Sequence, residues 1–428
     1  MISPARRAAY AALCRVEIGG AFSDEALSSM SVSELDERDR HLATEICYGT
    51  LRWRLSLDDI LSRYSSRPWR KVDPRVCILL RMSLYQVRHT DRIPDHALVH
   101  DAVELGKLEL DRGKAGFING LLRSMLREKP WDKPGFEDQR PEWVRASLPE
   151  WLWQRWEARF GGERAFRYAI SLNQPALSAF WNPHPEGIRS SRDEAWIPSD
   201  IVPGALLASR LPQDFPHWIQ DEASQLVPHL IHRMDGCRIW DACASPGGKA
   251  AILSSLCGES GTVVASDLRW KRVRQMNSLL NTLEGKGPLL LVADAEKPYP
   301  FAQRTFDAVL ADVPCSGLGT LRRNPEIKWR FQPERFASLQ RRQLAILKEV
   351  AGSVRIGGAL LYSTCSTEPE ENEQVVEEFL SSHPAFRLCR PGNPPGVEKW
   401  LDATGCLRTF PADRIWDGFF AALMFRFS

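Results

Sequence analysis

Two cysteines stand where a thiol could meet a pyrimidine ring. Cys315 lies in Asp312-Val-Pro-Cys-Ser-Gly and Cys365 in Tyr362-Ser-Thr-Cys-Ser, each just past a short apolar run and flanked by polar residues. A cysteine inside a strand is usually a small buried hydrophobe, but the end of such a run in an open sheet is where ligands bind. The chemistry that suits this pair is alkylation at carbon 5 of cytosine. That carbon is a poor nucleophile. A thiolate adding to carbon 6 turns the ring into an enamine-like species whose carbon 5 can attack a sulfonium methyl. The carbon 5 proton must then leave and the thiolate be expelled. The sequence of steps needs a thiolate, an acid near ring N3 and a second group to finish the elimination. Cys315, Cys365 and Asp312 are of the right types. Residue type alone does not say which thiol attacks, since both start from an unperturbed pKa of about 8.5.

The partner for such chemistry is a methyl donor, and a second constellation suits one. The loop Asp241-Ala-Cys243-Ala244-Ser245-Pro246-Gly247-Gly248-Lys249 follows an apolar run and opens a helical pattern. Adjacent glycines let backbone approach a ligand, and a helix N-terminus offers N–H donors to a carboxylate. A phosphate-binding loop fails at both ends, because Cys243 stands where that motif needs its first glycine and Ala250 where it needs a hydroxyl. The dinucleotide GxGxxG pattern is absent as well. Aspartates then recur at the ends of later apolar runs. Asp267 is placed to accept ribose hydroxyls, Asp294 to meet an adenine edge, and Asp312 closes the next run. One such aspartate is most simply a turn or cap residue. Their recurrence in register favours a cofactor site.

Those residues need a scaffold that gathers strand ends, and the segment from Cys237 onward has its rhythm. CRIWDACA, TVVASD, PLLLVADA, FDAVLADVPC and GALLYSTCS alternate with helical patterns, which predicts a doubly wound, mostly parallel α/β sheet over 231–428. Residues 1–127 read as helix throughout. Val76, Leu80, Leu84 and Val87 recur at helical spacing, as do Leu98, Ala102 and Leu105, and Pro94-Asp95 is a helix start. Between them, 128–230 reads as a linker with three prolines in 127–144 and then a small α+β insert.

Composition fits this multidomain reading. The chain has 428 residues, 43% hydrophobic and 26% charged, with net charge +2, so any nucleic-acid contact must come from locally concentrated charge. Ten cysteines form no CxxC pair, which argues against a zinc ribbon or a disulfide scaffold; no metal is expected. No uncharged stretch is long enough to span a bilayer, and a cytoplasmic protein without membrane contact is expected. His96 and His100, with Glu104 one turn on, lack the HExxH pattern of a zinc helix.

The strings DACASPGGK, DVPCSGLGTLRRNPEIKWR and YSTCSTEPEENEQVV resemble the motifs of the bacterial 16S rRNA cytosine-C5 methyltransferases of the RsmB (Sun, Fmu) group. DERDRHLATEICYGTLRW and AGFINGLLRSMLR are similar to that family's NusB-like helical domain, and DEASQLVPHLI and DGFFAALM match too. The resemblance implies a NusB-like RNA-binding domain at 1–127, the insert at 128–230, and a Rossmann-like class I methyltransferase domain at 231–428. It implies S-adenosylmethionine as cofactor, contacted by Cys243, Ala244, Ser245, Pro246, Gly247, Gly248 and Lys249 and by Asp267, Asp294 and Asp312. It assigns Cys365 as nucleophile and Cys315 to product release. It makes 16S ribosomal RNA the partner of an expected monomer. Ser245 departs from the family's alanine and Ala250 from its threonine. A tRNA methyltransferase and a non-catalytic NusB-like RNA-binding factor are the rival readings. The intact loop and both cysteines argue against the second.

Residues 320–342 hold seven basic and two acidic residues with Trp329, Phe331 and Phe336 among them. Basic residues interleaved with aromatics suit phosphate contacts and base stacking, so Arg322, Arg323 and Lys328 are expected to bind RNA. A solvated helix face over buried aromatics would give the same pattern.

Overall fold

The computed structural model describes residues 2–28, 32, 34–90, 94–182, 197–208, 218–232, 234–281 and 286–428. It divides into two compact units, one of residues 1–175 with 321–330 and the other of 176–320 with 331–428.

The first unit is helical. Among the described residues its helices up to Glu128 include α1 (Pro4–Glu17), α2 (Ser23–Leu27), α3 (Glu37–Arg52), α4 (Arg54–Ser62), α5 (Pro74–His89), α6 (Asp95–Glu109) and α7 (Arg112–Glu128). Their starts are written locally. Asp36, Asp73 and Asp111 accept from the Asp39, Arg75 and Lys114 backbone N–H groups, and Pro74 opens α5. Val76, Leu80, Leu84, Leu98, Ala102 and Leu105, spaced for one helix face, are all buried. A leucine so buried contributes roughly 1.5–3 kcal/mol.

The stretch expected to be a linker is instead packed against these helices. Phe136 joins their core, with the Arg63 and Arg140 guanidinium groups 5.1 and 5.3 Å from its ring centroid. Arg140 is buried and donates to Asp59, Glu137 and Ser56. An arginine matched by two carboxylates and a carbonyl can enter an interior that its charge alone would forbid. The following helices α8 (Glu142–Arg145), α9 (Glu150–Phe160) and α10 (Gly162–Ser171) also belong to this unit.

In the second unit β1 (Ser178–Trp181), β2 (Ile197–Pro198), β3 (Ala205–Ala208) and β4 (Trp218–Ile219) make a small antiparallel sheet, followed by α11 (Glu222–His229). The expected α+β insert is thus split: α8, α9 and α10 fall in the first unit, its sheet and α11 in the second. Residues 183–187 of the NQPALSAFWNPHPEG segment lie outside the described residues.

The main sheet follows: β5 (Arg238–Asp241), α12 (Gly248–Cys257), β6 (Thr262–Asp267), α13 (Trp270–Leu280), β7 (Leu289–Val292) and β8 (Phe306–Asp312). After α14 (Ile327–Arg330), which belongs to the helical unit, come α15 (Phe336–Ala351), β9 (Val354–Thr364), α16 (Glu373–Ser382), β10 (Phe386–Cys389), β11 (Leu407–Arg408) and β12 (Phe420–Arg426). The order is β10-β12-β9-β8-β5-β6-β7, with β11 on β12. Strands β5 to β9 are parallel, and β12 and β10 add antiparallel to one side. Alternate residues serve the two faces. Ile239, Leu310 and Leu361 pack with Leu226 and Leu253, while Trp240, Val309 and Leu360 pack with Leu347 and Phe379. Helices on both sides explain why these strands read as unbroken apolar runs.

Candidate active site

The chain leaves β5, in mid-sheet, and returns to its other side as β8, so the loops after β5 and β8 part there. Ala242 N–H donates to Leu310 O on one neighbour, and Ala244 N–H to Ser266 O on the other. Asp241 between them is fully buried, and neither carboxylate oxygen has a hydrogen-bond partner among the described residues. Burial, aided by the Asp312 carboxylate, pushes its pKa up to about 8. Ser245-Pro246 is a cis peptide, and Gly247 has φ of 112°. A Cβ on Gly248 would lie 2.3 Å from Gln220 Oε1, and α12 starts there without a side-chain cap. Free N–H groups, a close glycine approach and an unpartnered buried carboxylate fit a zwitterionic nucleoside ligand such as S-adenosylmethionine. Burial drives the Cys243 thiol well above its usual range, so it serves as packing rather than as a nucleophile.

The sheet order and register bring the expected acidic residues into one row at the carboxyl edge. Asp267 pairs with Val292, two residues before Asp294; Asp241 lies beside Ala265 and Leu310; Asp312 lies beside Ser363. Asp267 is 7% exposed, accepts from Arg269 N–H through Oδ1 and has Arg272 3.7 Å from Oδ2. Asp294 accepts from Glu296 N–H and faces Lys297 at 3.4 Å. Lys249 reaches out of the glycine loop to Asp312 Oδ2 at 2.7 Å, and Ser363 Oγ donates to Oδ1 at 2.7 Å. The glycine loop and the two cysteine strands therefore meet at one carboxylate.

Past that carboxylate the two cysteines converge. Their sulfurs are 3.1 Å apart, both cysteines are free and half-buried, and the Cys315 thiol is raised by its hydrogen bond to Cys365, then by burial. The loop is held by Val313 N–H to Ser363 O and by Gly319 N–H to Cys365 O. Gly319 has no alternative here, because a Cβ would lie 1.9 Å from Gly418 O.

Sequence reasoning passed over Glu371. This buried residue accepts from Ser316 N–H at 2.7 Å, Ser316 Oγ at 2.5 Å, Ser366 Oγ at 2.5 Å and Gln343 Nε2 at 3.0 Å. The signal was there, an acidic run six residues past Cys365, but such a run reads first as a solvated turn.

The RNA strip needs correction. Arg322 and Lys328 are buried, 3% and 1% exposed. Lys328 Nζ donates to Asn173 Oδ1 at 2.8 Å and to the Arg52 and Ser147 carbonyls at 3.2 and 3.3 Å, all within the helical unit. Burial, with Arg52 nearby, lowers its pKa to about 7. Arg52 donates to Arg322 O, Trp329 Nε1 to Leu51 O, and the Ser23 hydroxyl and N–H to Glu326. A lysine so enclosed holds the segment in place and cannot reach a phosphate. Arg323 is half-buried, and Arg335 and Arg341 are exposed. Among the described residues no group of three or more His, Cys, Asp or Glu could hold a metal, and no helix is long and apolar enough to cross a membrane.

Family models give an independent comparison. The family described as 16S rRNA methyltransferase RsmB/F matches residues 229–425, and the NusB family matches 3–127. The chain is 36% identical over 401 residues to a probable ribosomal RNA small subunit methyltransferase B of Bacillus subtilis, covering 89% of each chain. It is 31% identical over 395 residues to the ribosomal RNA small subunit methyltransferase B of Pseudomonas putida, covering 89% of this chain and 90% of that one. The solved structure of PH0851 superposes with a TM-score of 0.81 at 24% identity, over 100% of this chain and 99% of the other. NSun6 from Pyrococcus horikoshii, solved with SFG, superposes with a TM-score of 0.55 at 18% identity, over 65% and 98%. These two likenesses concern the fold. The strand-end carboxylates, the glycine loop and the full-length relatives agree: this chain belongs to the ribosomal RNA small subunit methyltransferase B family, an S-adenosylmethionine-dependent rRNA methyltransferase with an N-terminal NusB domain.

Proposed function

We propose that the chain methylates carbon 5 of one cytosine in 16S ribosomal RNA, with Cys365 as nucleophile and Cys315 as the group that helps clear the product. The observation that supports this most is the pair of free thiols 3.1 Å apart beside the Asp312 carboxylate. S-adenosylmethionine, when bound, supplies an electrophilic methyl group; Cys243 through Lys249 with Asp267, Asp294 and Asp312 would hold it.

The chain's own residues must make carbon 5 nucleophilic. The family resemblance gives the attack to Cys365; the Cys315 thiol beside it is raised by its hydrogen bond to Cys365 and by burial. The Cys365 thiolate forms a bond to carbon 6, and the ring electrons move toward N3, which takes a proton from Asp312, the acid of this reading, once that carboxylate has itself drawn a proton from its Lys249 partner. Once carbon 5 carries its methyl, its proton leaves to water and N3 gives its proton back to Asp312. The freed pair re-forms the carbon 5–carbon 6 double bond and expels the Cys365 thiolate. Cys315, one thiol away, assists that elimination. The cytosine must leave any stack to reach the pair. Of the predicted RNA contacts, Arg323 is the one retained here.

Bisulfite sequencing of total RNA from a strain lacking the gene tests this reading. It is upheld if one 16S cytosine loses protection and overturned if the lost site lies in tRNA or no site is lost.

A further inference from the structure

We infer that Glu371 is a positioning residue that sets the spacing of the two thiols. The inference rests on the two-cysteine reading above and adds what holds the pair in place. The two cysteine loops come from different strands, and each carries a serine directly after its cysteine. Both serines point to the same carboxylate: Ser316 Oγ and Ser366 Oγ each donate to Glu371 Oε2 at 2.5 Å, and the hydroxyls are 3.2 Å from each other. Oε1 takes the Ser316 N–H at 2.7 Å, so the Cys315 loop is held by backbone as well as side chain.

The carboxylate is itself fixed from behind. Gln343 Nε2 bridges Glu371 Oε1 at 3.0 Å and Pro314 O at 3.1 Å, tying α15 to the residue before Cys315. Tyr362 OH donates to Glu371 O at 2.6 Å. Next to it, Asn372 accepts from Thr364 Oγ1 at 2.6 Å and donates to Ser366 O at 2.9 Å, on either side of Cys365. Glu371 is fully buried, so it has no solvent role, and the donors around it are what allow a carboxylate there. Hydrogen bonds to a shared anion in a dry site are short and directional, which suits holding two sulfurs at a fixed distance. The serine hydroxyls also contact each other at 3.2 Å and Gly319 N–H holds Cys365 O, but the carboxylate is the one acceptor both serines share, so removing it loosens both loops. Glu371 touches neither sulfur in a bonding sense and acts through its neighbours.

The test reads thiol spacing directly, without relying on the reaction. The full-length protein is treated with diamide, which takes two protons and two electrons as a Cys315–Cys365 disulfide forms, and the cross-linked peptide is followed by mass spectrometry. Glu371→Ala is expected to cross-link on the order of 10-fold more slowly. It should lower kcat on the order of 10–100-fold while cofactor affinity stays within about 2-fold, since displacement by about an ångström has that effect on a reaction. Glu371→Gln, which keeps the shape and one acceptor, should fall between. If Glu371→Ala does not fold, Ser316→Ala and Ser366→Ala each remove one tether and should each slow cross-linking. Cross-linking at the wild-type rate in Glu371→Ala, or in both serine variants, overturns the inference. A wild-type protein that methylates no cytosine would overturn the proposed reaction, while the cross-linking rates would still decide the role of Glu371.

Discussion

Cys315 Sγ and Cys365 Sγ lie 3.1 Å apart although fifty residues separate them in the chain. The adjacency of β8 and β9 and the turns that follow them bring this about. Two thiols that close can divide one reaction between them.

Exchange of either thiol separates their roles. Cys365→Ala is expected to be inactive and to form no covalent RNA adduct. Cys315→Ala should still attack and methylate but fail to resolve, so an adduct that survives denaturing electrophoresis accumulates with RNA and S-adenosylmethionine. A trapped adduct with Cys365→Ala instead would assign the nucleophile to the other strand.

Asp267→Ala should weaken cofactor binding. The loss expected for charge-assisted hydrogen bonds to a nearly buried carboxylate is about 1.5–3 kcal/mol. Isothermal calorimetry on the full-length protein measures it, and unchanged affinity would remove Asp267 from the site.

Lys328 makes stability depend on pH. Its folded pKa is lowered to about 7, while an unfolded lysine titrates at about 10.4. Between those values the unfolded chain binds the extra proton, so this group's contribution to stability rises with pH from about 7 to about 10. Lys328→Met should be less stable throughout, because Asn173 and the two carbonyls lose their donor, and it should lose this rise. Urea unfolding at pH 7.5 and 9.5 compares the slopes. Equal pH slopes would show that Lys328 stays charged inside. The salt dependence of RNA binding should not change in this variant, since the ammonium is not at the surface.

Gly319→Ala and Gly248→Ala should differ although both introduce one methyl. At Gly319 the new carbon would meet backbone, Gly418 O at 1.9 Å, which cannot yield without moving the cysteine loop. At Gly248 it would meet the tip of the Gln220 side chain, which can rotate away. The first should cost about 1–3 kcal/mol or more in thermal unfolding. The second should cost little stability. Equal melting temperatures would show that the 319–418 approach is looser than described.

The carboxyl edge was legible because local rules write it. Apolar runs that end in Asp267, Asp312 or a polar turn after Val292 mark parallel strands covered on both faces, and ligand chemistry gathers where such strands end. The glycine loop could be told from a phosphate loop because Cys243 and Ala250 occupy its diagnostic positions. The helical half was legible too, since Asp73-Pro74 and Asp111 cap helices by contacts within one turn.

What tertiary structure alone decided is where charge ends up. Lys328 and Arg140 look like surface residues in any local window, yet each is buried because distant groups, Asn173 with two carbonyls or Asp59 with Glu137 and Ser56, satisfy it. Glu371 likewise reads as part of a solvated acidic turn, and only folding turns it toward Ser316, fifty-five residues away. Periodicity reports which side of an element faces the core. It does not report whether a buried charge will find partners, since those come from elements far off in the chain.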